Sequence, residues 1–201
     1  MKLDFGKTEL KINVSFAAAL TVMLILDKSC FSAVALFCCI VHEAGHVITL
    51  LLLGEKPKLI ELSFYGIKLE RNLLTAGTGA GEIAVYLSGP AANFILSAAF
   101  FLLSQRFPNL CDAAKISLCV GFFNLIPCRP LDGGNLLFAF LARFMSEKTA
   151  DKICRVVRVL ILVPMGAAGV ILMIKSCNFT LFGVTVYLAS DDIFNKKAEN
   201  K

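Results

Sequence analysis

Residues Cys30 to Leu53 form an apolar run long enough to cross a bilayer, yet His42-Glu43-Ala44-Gly45-His46 lies inside it. About 20 apolar residues span the hydrocarbon core, where an ionisable side chain costs roughly 2.5–3.5 kcal/mol at mid-helix on insertion scales. Two imidazoles and a carboxylate in that setting need partners. An intramembrane cluster of this kind is read by default as a functional site.

The rest of the chain is built to place such a run in a membrane. Hydrophobic residues make up 57% of the 201 positions, and the mean hydropathy is +0.76. These values exclude an ordinary soluble domain and indicate an all-α polytopic membrane protein. Spans are expected near Val14–Leu26, Cys30–Leu53, Ile83–Leu103, Ala113–Ala142 (irregular in its middle), Val159–Ile174 and Phe179–Ala189, about six in all. The first and last are short. The segment Met1–Lys11 lacks the apolar core of a cleavable signal, so the first run is expected to be retained. The tail from Ser190 to Lys201 is expected to be a short polar end.

The net charge of +5 follows from topology and not from a nucleic-acid partner. With the N-terminus inside, one side of the membrane collects Lys2, Lys7 and Lys11, then Lys56, Lys58, Lys68 and Arg71, then the basic residues from Arg143 to Arg158, and last Lys196, Lys197 and Lys201. The other side receives Lys28, Arg106, Lys115 and Lys175. The positive-inside rule therefore places both termini in the cytoplasm.

The eight cysteines show no C-x-x-C spacing and mostly sit in apolar sequence, which reads as core packing without a disulfide framework. Cys38 precedes His42 by one turn, and Cys128 precedes Asp132 by one turn if that stretch is helical, so either could touch a metal, although packing is the simpler role. Between Gly54 and Glu82 lies the one extended polar connection. Its segment Leu59–Glu70 carries Leu, aromatic and β-branched residues around Gly66, which suggests a short β-hairpin near the membrane surface. The run Ala76–Gly81 is expected to be a loop; it lacks the strand–turn–helix context and the lysine of a phosphate cradle.

On a helix, His42 and His46 are four residues apart and project from one face, so both can bind one Zn²⁺ while Glu43 reaches a metal-bound water. A catalytic zinc takes three protein ligands and keeps one position open. The chain has two histidines, so the third ligand is of another type, and the outstanding carboxylate within the spans is Asp132. The alternative places Asp132 in an exposed loop between two half-length segments.

Asp132 lies in Asn124-Leu125-Ile126-Pro127-Cys128-Arg129-Pro130-Leu131-Asp132-Gly133-Gly134-Asn135, where two prolines rule out a continuous helix. Irregular backbone at membrane depth is tolerated where protein buries it or where it lines a wet cavity. Asp132 precedes Arg143 by 11 residues, while His42 and His46 precede Gly54 by 12 and 8. Similar depths, nearer the cytoplasmic side, follow. Arg129 could pair electrostatically with Asp132, contact substrate or reach to water.

His42-Glu43-x-x-His46 followed by Asn124-x-x-Pro127-x-x-x-Leu131-Asp132-Gly133 resembles the paired signature of the site-2 protease family of intramembrane zinc metalloproteases. The two motifs stand in the expected order about 85 residues apart, and the resemblance covers roughly residues 30–142. The segment Phe123–Phe138 is most similar to the sporulation branch that processes a membrane-associated sigma-factor precursor. Ser88-Gly89-Pro90-Ala91-Ala92-Asn93 resembles the family's G-P-x-x-N element, whose small residues permit close helix approach.

This resemblance implies a single integral membrane metalloprotease domain over 1–201 with a three-helix catalytic core, residues 30–142. It implies one Zn²⁺ per chain on His42, His46 and Asp132, with Glu43 as general base. Asn124 and Asn93 would hold substrate backbone, or Asn93 would make an interhelical hydrogen bond. The expected activity is hydrolysis of a peptide bond in or near the transmembrane segment of a membrane-bound regulatory protein, such as a sigma or anti-sigma factor, in a bacterial cell membrane. Partners are that substrate, the lipid bilayer and a regulatory membrane protein; no nucleic acid is expected. The pattern departs from the family in having no PDZ-like domain inserted between the motifs, and no C-terminal CBS domain is expected. The competing reading is a non-catalytic substrate-binding protein or a zinc transporter or channel on the same scaffold, for which Glu43 has little use.

Overall fold

A computed structural model describes residues 2–5, 8–12, 27, 31–54, 59–63, 66–70 and 79–199. It divides into two units, Met1–Phe123 and Asn124–Lys201, each described by itself. The expected first span, Val14–Leu26, lies outside the described residues, as does the first half of the loop expected at Ala76–Gly81.

The first unit carries the helix of the opening motif. Helix α1 runs Phe31–Leu52, 22 residues, about 33 Å at 1.5 Å per residue, which matches the hydrocarbon thickness. Asp27 accepts the Ser32 amide and satisfies a donor at the helix start. At the other end the Leu53 amide bonds to the Thr49 carbonyl and the Gly54 amide to the Leu51 carbonyl. Gly54 ends the helix at φ 77°, a left-handed conformation that glycine adopts without a Cβ penalty.

Helix α2, Gly79–Ser104, follows. Its first turn is Gly79-Ala80-Gly81, so the last residues of the expected loop are helical, with Glu82 complementing the positive helix end. Helix α3, Leu110–Asn124, is reached through a short turn at Pro108. Helix–helix attraction in a bilayer comes from close packing and buried hydrogen bonds, because lipid is as apolar as leucine. Both are present. The Ser97 hydroxyl donates to the Ala114 carbonyl at 2.8 Å and the Ser117 hydroxyl to the Asn93 carbonyl at 2.9 Å. A Cβ added to Gly121 would lie 2.7 Å from the Phe94 ring, so α3 meets α2 at a glycine.

Strands β1 (Lys2–Phe5), β2 (Thr8–Ile12), β3 (Leu59–Ser63) and β4 (Gly66–Glu70) make one sheet in chain order. β1–β2 and β3–β4 pair antiparallel, with Leu3 opposite Leu10 and Ile60 opposite Leu69. β2 and β3 pair in parallel, Leu10 opposite Ile60. Residues 2–5 and 8–12, which precede the first expected span, are thus strands of this sheet.

In the second unit the fourth expected span is resolved into separate pieces. The prolines end α3 at Asn124, residues 125–131 form turns, and helix α4 begins at Asp132 and ends at Leu141. Neither α3 nor α4, at 15 and 10 residues, reaches bilayer thickness alone. Helix α5, Glu147–Ser176, starts on a Ser146 cap whose side chain accepts the Thr149 amide at 3.4 Å. It is followed by α6, Thr180–Glu199. Arg158 of α5 is buried and donates to the Leu188 and Ala189 carbonyls of α6 at 2.6 and 3.2 Å.

Among the described residues three helices are long and apolar enough to cross a membrane, α1, most of α2 and α5, and α6 contributes a shorter apolar stretch, Thr180–Ser190. Their large apolar side chains face outward: Leu52 is 82% exposed, Ile95 72% and Ile174 74%. A water-soluble chain would bury these residues; a lipid-facing surface accounts for them.

Candidate metal centre

Helix α1 supplies the two imidazoles. His42 and His46 are four residues apart, and both are buried, at 4% and 5% exposure. Their rings meet edge to face with centroids 4.9 Å apart, which brings the two Nε2 atoms to 3.2 Å. Two nitrogens at 2.0–2.1 Å from a tetrahedral zinc are separated by about 3.3 Å, so the pair already has the edge length of such a site.

Helix α2 fixes those rings. The His46 Nδ1–H donates to the Val85 carbonyl at 2.7 Å, so Nε2 carries the lone pair that a metal needs. Ser88 braces the same contact, its hydroxyl donating to the Val85 carbonyl at 2.7 Å and lying 3.5 Å from His46 Nδ1. Asn93, fully buried, sets its carboxamide 3.1 Å from His42 Nδ1. Val85, Gly89 and Asn93 are spaced by four residues and so form one stripe of α2 facing the histidines.

Gly89 shows what the stripe leaves open. A Cβ there would press onto His46 Nε2, lying 2.6 Å from His46 Cε1 and 2.8 Å from His42 Nε2. The space between the two ligand nitrogens is therefore a cradle that any side chain would fill. Gly45 serves the same approach on α1, since a Cβ there would come within 2.6 Å of the Ser88 carbonyl oxygen. A metal ion fits the donors and the space.

Glu43, adjacent to His42, is half-buried. Cys38, one turn before His42, is fully buried.

The second unit presents Asp132 as the first residue of α4. The preceding turn is drawn tight by bonds from the Cys128 amide to the Ile126 carbonyl, 2.7 Å, and from the Leu131 amide to the Cys128 carbonyl, 2.9 Å. The following glycines allow the chain to fold back on itself. A Cβ on Gly133 would strike the Leu125 carbonyl, and one on Gly134 would come within 2.5 Å of the Cys128 carbonyl carbon. Cys128 and Leu131 pack with Leu188 of α6 in the local apolar core, with Leu162 and Met165 of α5 beside them. Cys128 is thus a packing residue of this core, as its apolar context suggests. Arg129 places its guanidinium 4.4 Å from the Phe138 ring centre and 3.9 Å from Asp151. Asn124 is the last residue of α3 and half-buried.

His42 and His46 of α1 and Asp132 of α4 each offer a donor atom of a kind that binds a metal ion. Sequence reasoning named all three. It did not find the Val85 carbonyl or Ser88, and it read Gly89 as a packing glycine; their spacing with Asn93 along α2 was the available signal.

Comparison with known proteins agrees with this donor chemistry. The model of peptidase family M50 matches residues 109–165, which contain the Asp132 segment. A zinc metalloprotease of Methanocaldococcus jannaschii is 30% identical over 167 residues, covering 72% of this chain and 46% of that protein. A Synechocystis sp. protein assigned as a zinc metalloprotease is 33% identical over 116 residues, 53% of this chain and 30% of the relative. The chain therefore spans less than half the length of these curated relatives. Among solved structures, the site-2 protease from Methanocaldococcus jannaschii is similar with a TM-score of 0.69 and 25% identity, over 94% of this chain and 91% of that one.

Proposed function

Since the chain belongs to the site-2 protease family, peptidase family M50, we propose that it is a zinc metalloendopeptidase that cleaves a membrane-bound protein in or near its transmembrane segment. The observation that carries this reading is the pair of buried imidazoles, Nε2 to Nε2 3.2 Å, on an apolar helix that also carries Glu43. A purely structural pair would gain nothing from burial in a span, where polar groups are costly.

His42, His46 and Asp132 would hold the ion. When bound, zinc supplies an acidified water and polarises the scissile carbonyl. Glu43 would serve as the general base that accepts a proton from the attacking water and then as the acid that returns it to the leaving amine. Asn124, at the end of α3, holds the backbone of the locally unwound substrate. The three-helix core is built from α1, α2 and the broken α3–α4 segment. Six spans, both termini in the cytoplasm and the strand pair Leu59–Ser63 and Gly66–Glu70 near the membrane surface complete the topology, supported by the distribution of basic residues. The substrate is a membrane-tethered regulatory protein of the sigma or anti-sigma type, and a membrane partner regulates access to it.

The test uses the full chain purified in detergent. Zinc content is expected near one per chain, to fall on Asp132→Ala substitution, and cleavage of a membrane-tethered candidate substrate to stop when the metal is chelated. Unchanged zinc in the Asp132→Ala protein would remove that ligand, and cleavage that survives complete metal removal would refute the metalloprotease reading.

A further inference from the structure

We propose that Asn93 is a positioning residue that locks His42 in the tautomer able to bind metal, its carboxamide oxygen accepting from His42 Nδ1–H. The inference rests on the reading that His42 is a metal ligand through Nε2, the nitrogen that faces His46.

An imidazole that binds a metal through Nε2 carries its proton on Nδ1, and that proton needs an acceptor. For His46 the acceptor is the Val85 carbonyl at 2.7 Å. For His42 the group at Nδ1 is the Asn93 carboxamide at 3.1 Å, two turns further along the same face of α2. With its nitrogen turned toward His42, as placed, that amide leaves Oδ1 buried and without a hydrogen-bond partner among the described residues. The two ends of a carboxamide have nearly the same shape, and the hydrogen-bond network decides which end faces the ring. Turned over, Oδ1 receives the Nδ1 proton, and His42 Nε2 presents its lone pair beside that of His46. Two lone pairs facing each other at 3.2 Å repel, and a cation between them removes the repulsion.

Asn93 is also held from behind. The Ser117 hydroxyl of α3 donates to its backbone carbonyl at 2.9 Å, and the residue is 0% exposed. No opening to substrate exists at this amide among the described residues, which separates its role from that of Asn124. The stripe Val85, Gly89, Asn93 thus does three things: it accepts one Nδ1 proton, leaves the space for the ion, and accepts the other.

Zinc affinity of the full-length purified chain, measured by competition with a chromophoric chelator, tests this. Asn93→Leu, similar in size but unable to accept, is expected to weaken zinc binding about 10–100-fold, the usual effect of removing such a partner. Asn93→Asp, which accepts the same proton, is expected to stay close to wild type. Ser97→Ala, which removes another buried α2–α3 hydrogen bond away from the histidines, is expected to leave affinity unchanged. Wild-type affinity in Asn93→Leu, an equal loss in Asn93→Asp, or an equal loss in Ser97→Ala would each overturn the inference. A wild-type chain that binds no zinc would remove the metalloprotease reading along with it.

Discussion

A metal ion between His42 and His46 would depend on single atoms being absent as much as on donors being present. Gly89 occupies a position where a methyl group would lie 2.8 Å from His42 Nε2. Gly89→Ala is therefore expected to drop zinc content from about one per chain towards zero while the helical circular dichroism stays intact. Gly183→Ala, at a glycine with open space around it, is expected to change neither measurement. His42, His46 and Asp132 stand out in the sequence because a helix-spaced pair in an apolar run and a carboxylate in a proline-broken run are costly unless used. Gly89 was legible as a packing glycine only. Its closeness to two ring nitrogens depends on how α2 docks on α1, which spacing along one helix does not specify.

At the scale of elements, α2 is held to α3 by buried hydroxyls and α5 to α6 by a buried guanidinium. Interhelical hydrogen bonds of the first kind contribute about 0.6 kcal/mol each in membrane proteins. Ser97→Ala and Ser117→Ala should each lower unfolding stability by about that amount in a detergent titration. Arg158 donates to two carbonyls from a charged group, so Arg158→Met should cost more, about 2 kcal/mol in the same titration. The long helices α1, α2 and α5 were readable from apolar run length, within a few residues at most ends, although α5 starts 12 residues before the apolar run used to find it. The break between α3 and α4 was readable from Pro127 and Pro130. The strands Lys2–Phe5 and Thr8–Ile12 were not: they pair with each other, and Thr8–Ile12 also pairs with β3, a partner about 50 residues away in sequence that local propensity does not reveal.

For the whole molecule, the distribution of Lys and Arg supports the proposal that the loops after α1 and α4 and both termini share one face of the membrane. Reporter fusions after Gly54 and after Lys201 should both report cytoplasm, and a fusion after Arg106 the opposite side; a C-terminal reporter outside would reverse the topology. The central claim is that the histidine pair serves hydrolysis and not zinc storage or transport, and Glu43 separates these, since it has a task only in the first. Co-expression of the chain with a membrane-tethered candidate substrate, comparing wild type with Glu43→Gln, tests this most directly. Glu43→Gln is expected to abolish cleavage while the purified variant retains its zinc. Equal cleavage by the two proteins would contradict it.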